Sequence, residues 1–370
     1  MDRTLMVYYL KRMDWWLLAA LLALVVLGVL FVYSASYRGE GIPVGTDYQK
    51  QILWAVLGIG VFLIVALIDY HWLGKCSWLL YAGALVLLVL VLVIGETRSG
   101  ATRWISLPGF DIQPSELAKL GTLLALARFL SLTATDPRRL YVVALAGVIS
   151  FVPFLLIFVE PDLGTAAVLV PLTACLLFVA GVPMRILCFL VVLGLLALPL
   201  GYQVLDDYQQ DRIEVFLNPD SDPLRDGWTR RQSQIAVGSG GLTGKGYLSG
   251  TQNVLGFLPR SVAPNDFIYS VIAEETGFVG AALVLALYAA VLLCAFRAAL
   301  VSRDKLGRFL SVGVATIIFS HVFVNIAMTI GLMPITGLPL PLVSYGGSFM
   351  VVTMCGLGIV QSVYVRRARA

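Results

Sequence analysis

The chain consists mainly of long apolar runs separated by polar segments, one of which is much longer than the rest. The first run, WWLLAALLALVVLGVLFVY, follows the short basic start MDRTLMVYYLKRMD. It is too long for the apolar core of a signal peptide and no small-residue cleavage site follows it, so we predict an uncleaved first span. Further runs with the length of membrane-spanning helices lie at 51–69, 77–94, 114–131, 140–159, 163–181, 185–202, 267–298, 309–331 and 343–365.

These runs predict an all-α polytopic membrane protein with about ten transmembrane helices. The 370 residues are 59% hydrophobic and 13% charged, with a mean hydropathy of +0.89. Soluble domains carry about 25% charged residues, so composition excludes that class. We predict a single integral membrane domain over residues 1–370, with one large loop at about 203–265 between spans seven and eight.

Lysine and arginine in the short loops predict the orientation of the spans. If the N-terminus is cytoplasmic, the cytoplasmic loops contain most of these residues, and the short outer loops contain only Arg38, Lys50, Arg98 and Arg103. Both termini are therefore predicted in the cytoplasm and the 203–265 loop on the opposite side. Acidic and basic residues roughly balance in this loop, so it does not indicate a surface for nucleic acid or another polyanion.

The five cysteines, Cys76, Cys175, Cys188, Cys294 and Cys355, fall in or beside apolar runs without paired spacing. They are interpreted as small core residues rather than disulfides or metal ligands. His71 and His321 are far apart in the chain, so a histidine-based metal site has little support.

Polar residues at the ends of several spans are the first candidates for chemistry, because ionisable groups there usually face a protein cavity. Pro114 suits the first turn of a helix, and Glu116 and Lys119 lie three residues apart on one face of it. The two side chains either neutralise each other as a simple ion pair, or Glu116 orients a Lys119 cation that faces a cavity.

Three further polar residues also allow two interpretations. Asp162 begins a span, where it caps the helix or lines a site. Asn325 and Ser344 form hydrogen bonds between helices or contact a substrate.

The glycine-rich loop GSGGLTGKG in the outer segment does not have a phosphate-loop pattern. Ser239 stands where the first glycine of GxxxxGK[ST] is required, and Gly246 stands where serine or threonine is required. Its composition indicates flexibility, although glycine-rich backbone can also bind phosphate.

Asp266 stands where the long loop enters the eighth span, and it either caps that helix or acts on a substrate. Glu274 lies about two turns further on and roughly on the same face, whereas Glu275 is turned away by about 100°. A carboxylate at such a boundary has the chemistry of a general base that takes a proton from a sugar hydroxyl.

The motifs QPSELAK, EPDLGT, GSGGLTGKGYLSGTQ, FLP followed by DFIYSVIAEETG, and PLPLVSYGGS resemble the SEDS family (shape, elongation, division and sporulation). They occur in order through nearly the whole chain after residue 95. The short N-terminal tail and the pair Thr251 and Gln252 resemble the RodA branch of that family rather than the FtsW branch.

The resemblance implies a peptidoglycan glycosyltransferase that polymerises lipid II during cell elongation, on the outer face of the bacterial cytoplasmic (inner) membrane. Asp266 matches the essential aspartate of the family and is the expected general base. The leaving pyrophosphate needs nearby positive charge to stabilise it. This charge is expected from Lys119, oriented by Glu116, from Arg103 and Arg212, or from a divalent cation, Mg²⁺ or Mn²⁺. The other predicted substrate-binding residues are Asp162, Gln232, Lys245, Glu274 and Ser344.

The resemblance also implies partners. Besides lipid II and membrane lipid, we expect a class B penicillin-binding transpeptidase whose single span packs on the bundle, and other membrane proteins of the elongation machinery; no nucleic acid is expected.

One segment departs from the family pattern of FLPE, two residues, and Thr-Asp-Phe. Here Arg260 replaces the glutamate, Asn265 replaces the threonine, and the link is two residues longer. The downstream DFIYSVIAEE anchor still assigns Asp266, but roles of the usual glutamate and threonine are not carried over.

Three other functions have less support from the sequence. A flippase for lipid II or another lipid-linked precursor requires polar residues at mid-depth in several spans, whereas here they cluster at the outer ends. A scaffold without chemistry gives no reason for Asp266, Glu116 and Lys119 together. An ion-coupled transporter lacks support because no inverted repeat of broken helices is visible.

Overall fold

The computed structural model describes residues 11–37, 45–98, 101–107, 110–132, 140–203, 205–218, 222 and 224–367. The long helices are α1 (Trp15–Ser36), α2 (Asp47–Leu67), α4 (Ser77–Ile94), α5 (Pro114–Leu132), α6 (Leu140–Val159), α7 (Leu163–Ala180), α8 (Met184–Tyr202), α12 (Ile268–Leu300), α13 (Lys305–Thr329) and α14 (Gly347–Val365). The shorter ones are α3 (Tyr70–Lys75), α9 (Asp207–Leu217), α10 (Asp226–Ser239) and α11 (Thr251–Val254).

Every predicted span corresponds to one of these long helices, which confirms a polytopic helical membrane protein. Among the described residues, 8 helices are long and apolar enough to cross a membrane. The other two predicted spans are α5 and α8. The first carries Glu116, Lys119 and Arg128, and the second includes the apolar stretch Met184–Ala197.

The prediction of an all-α protein omitted one small sheet before α5. Strands β1 (Glu96–Arg98), β2 (Ala101–Leu107) and β3 (Phe110–Ile112) form an antiparallel meander in the order β1-β2-β3. Ile105 pairs with Ile112 across β2 and β3. The segment is short and partly apolar, so it lacks a clear alternating pattern and the sequence analysis did not detect it.

Local chemistry explains several helix ends. The Asp14 carboxylate accepts hydrogen bonds from the backbone N–H groups of Trp16 and Leu17 and caps α1. Pro114 is the first residue of α5, as predicted from its missing N–H. α7 ends at Gly181, which adopts the left-handed conformation at φ 96°.

Helices α13 and α14 lie at the centre of the bundle and are the most buried of the spans. α14 packs against α2, and α13 packs against α12, α7 and α5. By contrast, Leu187 is the only buried residue among the described side chains of α8, and most of the apolar ones are exposed. The centre of the protein is therefore formed by the two helices on either side of the PLPLVSYGGS motif.

The long polar segment between α8 and α12 folds back onto the start of α12. The segment contains the helices α9, α10 and α11, and residues 219–221 and 223 between α9 and α10 lie outside the described residues. α12 is interrupted at Gly277, whose φ of 65° and ψ of −162° are not helical. The glycine-rich loop covers this interruption, since Phe278 N donates to Gly241 O at 2.9 Å and Lys245 N donates to Glu274 O at 3.0 Å.

Candidate active site

Asp266 lies in a turn before α12 and does not cap that helix. The N-cap residue of α12 is Phe267, and no side chain makes a capping hydrogen bond there. The alternative that Asp266 is an N-cap is therefore wrong. The Val262 carbonyl accepts the backbone N–H groups of Asn265, Asp266 and Phe267 at 3.2, 2.9 and 3.1 Å. This three-fold acceptance closes the turn and accommodates a link that is longer than the family pattern.

Ser344 anchors this turn from the opposite side. Its hydroxyl donates to Asn265 O at 2.5 Å and accepts from Leu340 N at 2.8 Å. Tyr345 N donates to Pro264 O at 2.9 Å. Ser344, predicted to bind substrate, thus uses its hydroxyl within the protein in this structure.

The Asp266 carboxyl is partly buried and lies in a field of mixed charge. Burial raises the pKa of Asp266 to about 6; the cations Arg212 and Arg103 lower it, and the Asp162 carboxylate raises it. The position where a Cβ of Gly337 would stand is 3.6 Å from Asp266 Oδ2 and 4.0 Å from Arg212 Nη1. At pH 7 the Asp266 carboxylate is ionised yet close to its pKa, as a general base requires.

Arg103 and Asp162 meet beside this carboxylate. Arg103 projects from β2, and its Nη1 is 3.8 Å from Asp162 Oδ1; its guanidinium also donates to Pro161 O. Asp162 caps α7 by accepting from Thr165 N at 3.2 Å and also accepts from Gln113 Nε2 at 3.2 Å. Asp162 therefore caps the helix with one oxygen, and its other oxygen faces the motif at the start of α5. Its role in lining a substrate site stays a prediction.

Glu116 and Lys119 form the predicted ion pair, with Lys119 Nζ 2.8 Å from Glu116 Oε1. Both side chains are buried, at 2% and 1% exposure. Lys119 Nζ is also 2.5 Å from His321 Nε2 and lies over the ring of Phe349, 5.7 Å from its centroid. The group borders a cavity of about 30 Å³, which has room for water.

Lys245 and Glu274 lie at a second, separate cluster. Lys245 Nζ is 2.6 Å from Glu274 Oε1, which also accepts from Thr251 Oγ1 and Gln252 N, both at 3.0 Å. The prediction that Glu274 shares a face with Asp266 is wrong, because α12 begins only after Asp266 and the glycine-rich loop binds the Glu274 carboxylate.

The remaining predicted residues are on the outer helices. Arg212 on α9 has its Nε 3.9 Å from Asp226 Oδ2 and acts electrostatically on Asp266. Gln232 on α10 is buried, and it is not among the groups that perturb the pKa of Asp266. The structure thus gathers Asp266, Arg212, Arg103 and Asp162, with Glu116 and Lys119 adjoining.

Sequence reasoning missed His321 and underrated Glu160. His321 was set aside because no second histidine is near, yet a lone polar residue in an apolar span was itself a signal. Glu160, in the EPDLGT motif, is buried, and burial raises its pKa to about 8. Neither Glu160 oxygen has a hydrogen-bond partner among the described residues.

Within the described residues, no group of three or more His, Cys, Asp or Glu side chains is arranged to bind a metal ion.

The sequence of this chain is similar to a known protein family. Residues 14–369 match the sequence profile of the Cell cycle protein family FtsW/RodA/SpoVE. The protein belongs to this family. The SEDS resemblance is thereby confirmed, since these are the proteins that the motifs indicated.

The family includes named enzymes and solved structures similar to this chain. It is 39% identical over 357 residues to peptidoglycan glycosyltransferase MrdB of Escherichia coli K12, covering 96% of this chain and 94% of MrdB. A solved structure of a peptidoglycan synthase complex, which coordinates polymerization and crosslinking, contains a chain similar to this one. The two match at TM-score 0.79 and 33% identity, over 95% of this chain and 97% of that one. The crystal structure of rod shape determining protein RodA of Thermus thermophilus matches at TM-score 0.72 and 32% identity, over 97% and 98%.

Proposed function

We propose that this protein is a peptidoglycan glycosyltransferase that polymerises lipid II, with Asp266 as its general base. The observation that carries the proposal is the Asp266 carboxylate itself. It does not cap a helix, it lies beside two arginines, and its pKa of about 6 suits proton transfer near neutral pH. Similarity over nearly the full length to a named peptidoglycan glycosyltransferase supports the same reaction.

In the proposed reaction, Asp266 takes the proton of the GlcNAc 4-hydroxyl on the acceptor. The resulting oxygen attacks the anomeric carbon of the donor MurNAc, and the bond from that carbon to the pyrophosphate oxygen breaks. Undecaprenyl pyrophosphate leaves with the bonding electrons, and the configuration at the anomeric carbon inverts. The products are a glycan longer by one disaccharide, the lipid pyrophosphate and a proton on Asp266.

The leaving pyrophosphate needs positive charge, which we assign first to Arg103 and Arg212. Both guanidinium groups act on the Asp266 carboxylate, so both lie near the reacting atoms. Preorganised cations of this kind stabilise charge that develops in the transition state. A divalent cation carried by the substrate phosphates remains part of the proposal.

Lys119 has a more buried position than the sequence suggested. Its ammonium is hydrogen-bonded to Glu116 and lies against His321. We propose that Glu116 and Lys119 support the donor site from beneath, whereas the arginines contact the pyrophosphate directly. Gln232, Lys245, Glu274 and Ser344 shape the surrounding loops in this proposal.

We further propose that the protein lies in the bacterial cytoplasmic membrane with both termini inside and the site facing outward. The excess of lysine and arginine in the loops assigned to the cytoplasm supports this orientation. A class B penicillin-binding transpeptidase is the proposed partner, supported by the similar chain in a peptidoglycan synthase complex. RodA-type function in elongation, together with other elongation proteins, is proposed from the RodA resemblance.

The test is glycan polymerisation from purified lipid II, comparing the wild type with Asp266→Asn, each with and without the cognate transpeptidase. Asparagine preserves the shape of the side chain and removes its basicity. We expect polymer from the wild type and none from the folded variant. Normal polymerisation by Asp266→Asn contradicts the assigned base. No polymer from the wild type with its partner, together with lipid II movement across vesicles, favours the alternative of a flippase.

A further inference from the structure

Among the buried polar side chains of helix α13, His321 and Asn325 lie one turn apart on one face. Both are 0% exposed. Neither contacts the lipid-facing surface, and both bind the backbone of one segment, residues 337–341, which we call the strap. The strap has no regular secondary structure, so its position depends on such contacts rather than on a helix or strand.

The strap lies against the carboxylate of Asp266. Gly337 has a φ of 71°, and a Cβ at this residue would stand 3.6 Å from Asp266 Oδ2. Any shift of the strap therefore moves the wall next to the base. The left-handed conformation favours glycine at this position.

Asn325 joins the strap to the residue that carries the base. Its Nδ2 donates to Leu338 O at 2.7 Å and to the backbone O of Asp266 at 2.9 Å. One amide group thus connects the two segments, and each hydrogen bond satisfies a carbonyl that is shielded from water. The loss of such a buried donor leaves carbonyl groups without partners.

His321 joins the strap to the buried ion pair. Its Nδ1 is 3.2 Å from Pro339 O, and a carbonyl only accepts, so Nδ1 carries the hydrogen. Nε2 then has a free lone pair, which accepts from the Lys119 ammonium at 2.5 Å. Lys119 in turn pairs with Glu116. The imidazole is therefore neutral, and the ion pair fixes which of its nitrogens donates to the strap.

We propose that His321 and Asn325 are positioning residues: through the strap they hold the Asp266 carboxylate where it takes the acceptor proton. The inference rests on the proposed function. A catalytic group displaced by about 1 Å loses on the order of 100-fold in rate. Weakening either contact therefore slows turnover without removing any group that touches the substrate.

Two substitutions at His321 separate its contacts. In His321→Asn the side-chain amide replaces Nδ1, so the donor to Pro339 O is kept and the acceptor for Lys119 is lost. In His321→Gln the amide reaches the place of Nε2, so an acceptor for Lys119 is kept and the donor to the strap is lost. Asn325→Leu removes both donors of that amide at similar volume.

The matched control is Ser320→Ala on the same helix. Ser320 is also buried, at 7% exposure, but its hydroxyl donates only to Thr316 O within α13. It does not reach the strap or Asp266. A small effect of this variant shows that removing a buried polar group from α13 is not damaging by itself.

The experiment is steady-state polymerisation of lipid II by each purified protein with its transpeptidase, as a function of pH. We expect His321→Gln and Asn325→Leu to lower kcat by about 10- to 100-fold with KM changed by less than about twofold. We also expect them to move the acid limb of the kcat profile, because Asp266 occupies altered surroundings. His321→Asn is expected to lose several times less, and Ser320→Ala to stay within about twofold of wild type.

A purely structural role lowers the unfolding temperature but leaves kcat per folded molecule and the pH profile unchanged; that result overturns the inference. Equal losses in His321→Asn and His321→Gln also overturn it, because the strap contact then has no separate effect. If His321→Gln does not fold, Gly337→Ala tests the strap directly, and unchanged kcat and pH profile in that variant contradict the proposal. A wild type without polymerase activity defeats the proposed function instead, so the two failures are distinguishable.

Discussion

The acid limb of the polymerisation rate is expected to report the ionisation of Asp266. Its pKa is about 6, because partial burial outweighs the attraction of Arg212 and Arg103. A general base acts only in its ionised form, so the rate falls as pH decreases through this value. An ordinary aspartate, with a pKa of about 3.9, would keep the rate constant down to much lower pH.

The magnitude follows from the ionised fraction of the carboxyl. With a pKa of about 6, about nine tenths of the Asp266 side chains are ionised at pH 7 and about one tenth at pH 5. The rate is thus expected to fall about tenfold between these two values. Asp266→Asn is expected to lose about 10²- to 10⁴-fold at pH 7 and about tenfold less than that at pH 5, because the variant has no acid limb.

The assay is the initial rate of glycan formation at low lipid II concentration, which reports kcat/KM and so the ionisations of the free enzyme. Thermal unfolding in the same detergent and buffers verifies that the protein stays folded at pH 5. Equal rates at pH 5 and pH 7 would refute the reasoning. So would an acid limb of the same size in a variant that lacks the Asp266 carboxyl but remains active.

Three other changes have expected outcomes on stability. Asp266→Asn should stabilise the folded protein at pH 7.5 by at most about 3 kcal/mol, because the folded state holds the carboxyl proton more tightly than the unfolded chain. This stabilisation shrinks as pH falls from about 6 to 4. A difference in unfolding temperature that stays constant over that pH range contradicts the prediction. Lys119→Met should lower the free energy of unfolding by about 3–5 kcal/mol, because it leaves Glu116 buried and unpaired. Adding Glu116→Gln should then recover part of the lost unfolding temperature. No recovery argues against a stabilising ion pair between the two residues. Gly277→Ala should lower the free energy of unfolding by about 1–3 kcal/mol, because Gly277 has a φ of 65° and an added Cβ would stand 2.4 Å from a backbone nitrogen. The control is Gly83→Ala, since no atom lies within 4 Å of an added Cβ there. This control should not lower the unfolding temperature.

Among the site residues, the outcome depended on whether the relevant contact was local. The pair of Glu116 and Lys119 was predictable because both lie on one helix, where residues three apart must be neighbours. Asp162 was correctly predicted to begin a helix for the same reason. The prediction for Glu274 was wrong, because it extended the helix back to Asp266. It thereby ignored the loop whose Lys245 binds the Glu274 carboxylate.

The contacts of His321 could not be predicted from sequence spacing. Lys119 is separated from it by 202 positions and Pro339 by 18, and no periodic pattern connects such distances. The sheet in front of α5 was missed because its strands are short. It places Arg103 on β2 beside Asp162, which only the paired strands establish.

The class of protein, the positions of the spans and the family were all predictable from the amino-acid sequence alone. Long apolar runs admit few other structures in a membrane, because every backbone group there requires an internal hydrogen bond. Ordered motifs through most of the chain then identified the family and Asp266. The charges around that carboxylate, and the hydrogen bonds of His321 and Asn325 to the strap beside it, became visible only in the folded chain. Burial and electrostatic energy depend on distances in space, and these distances are set by packing between segments far apart in the chain.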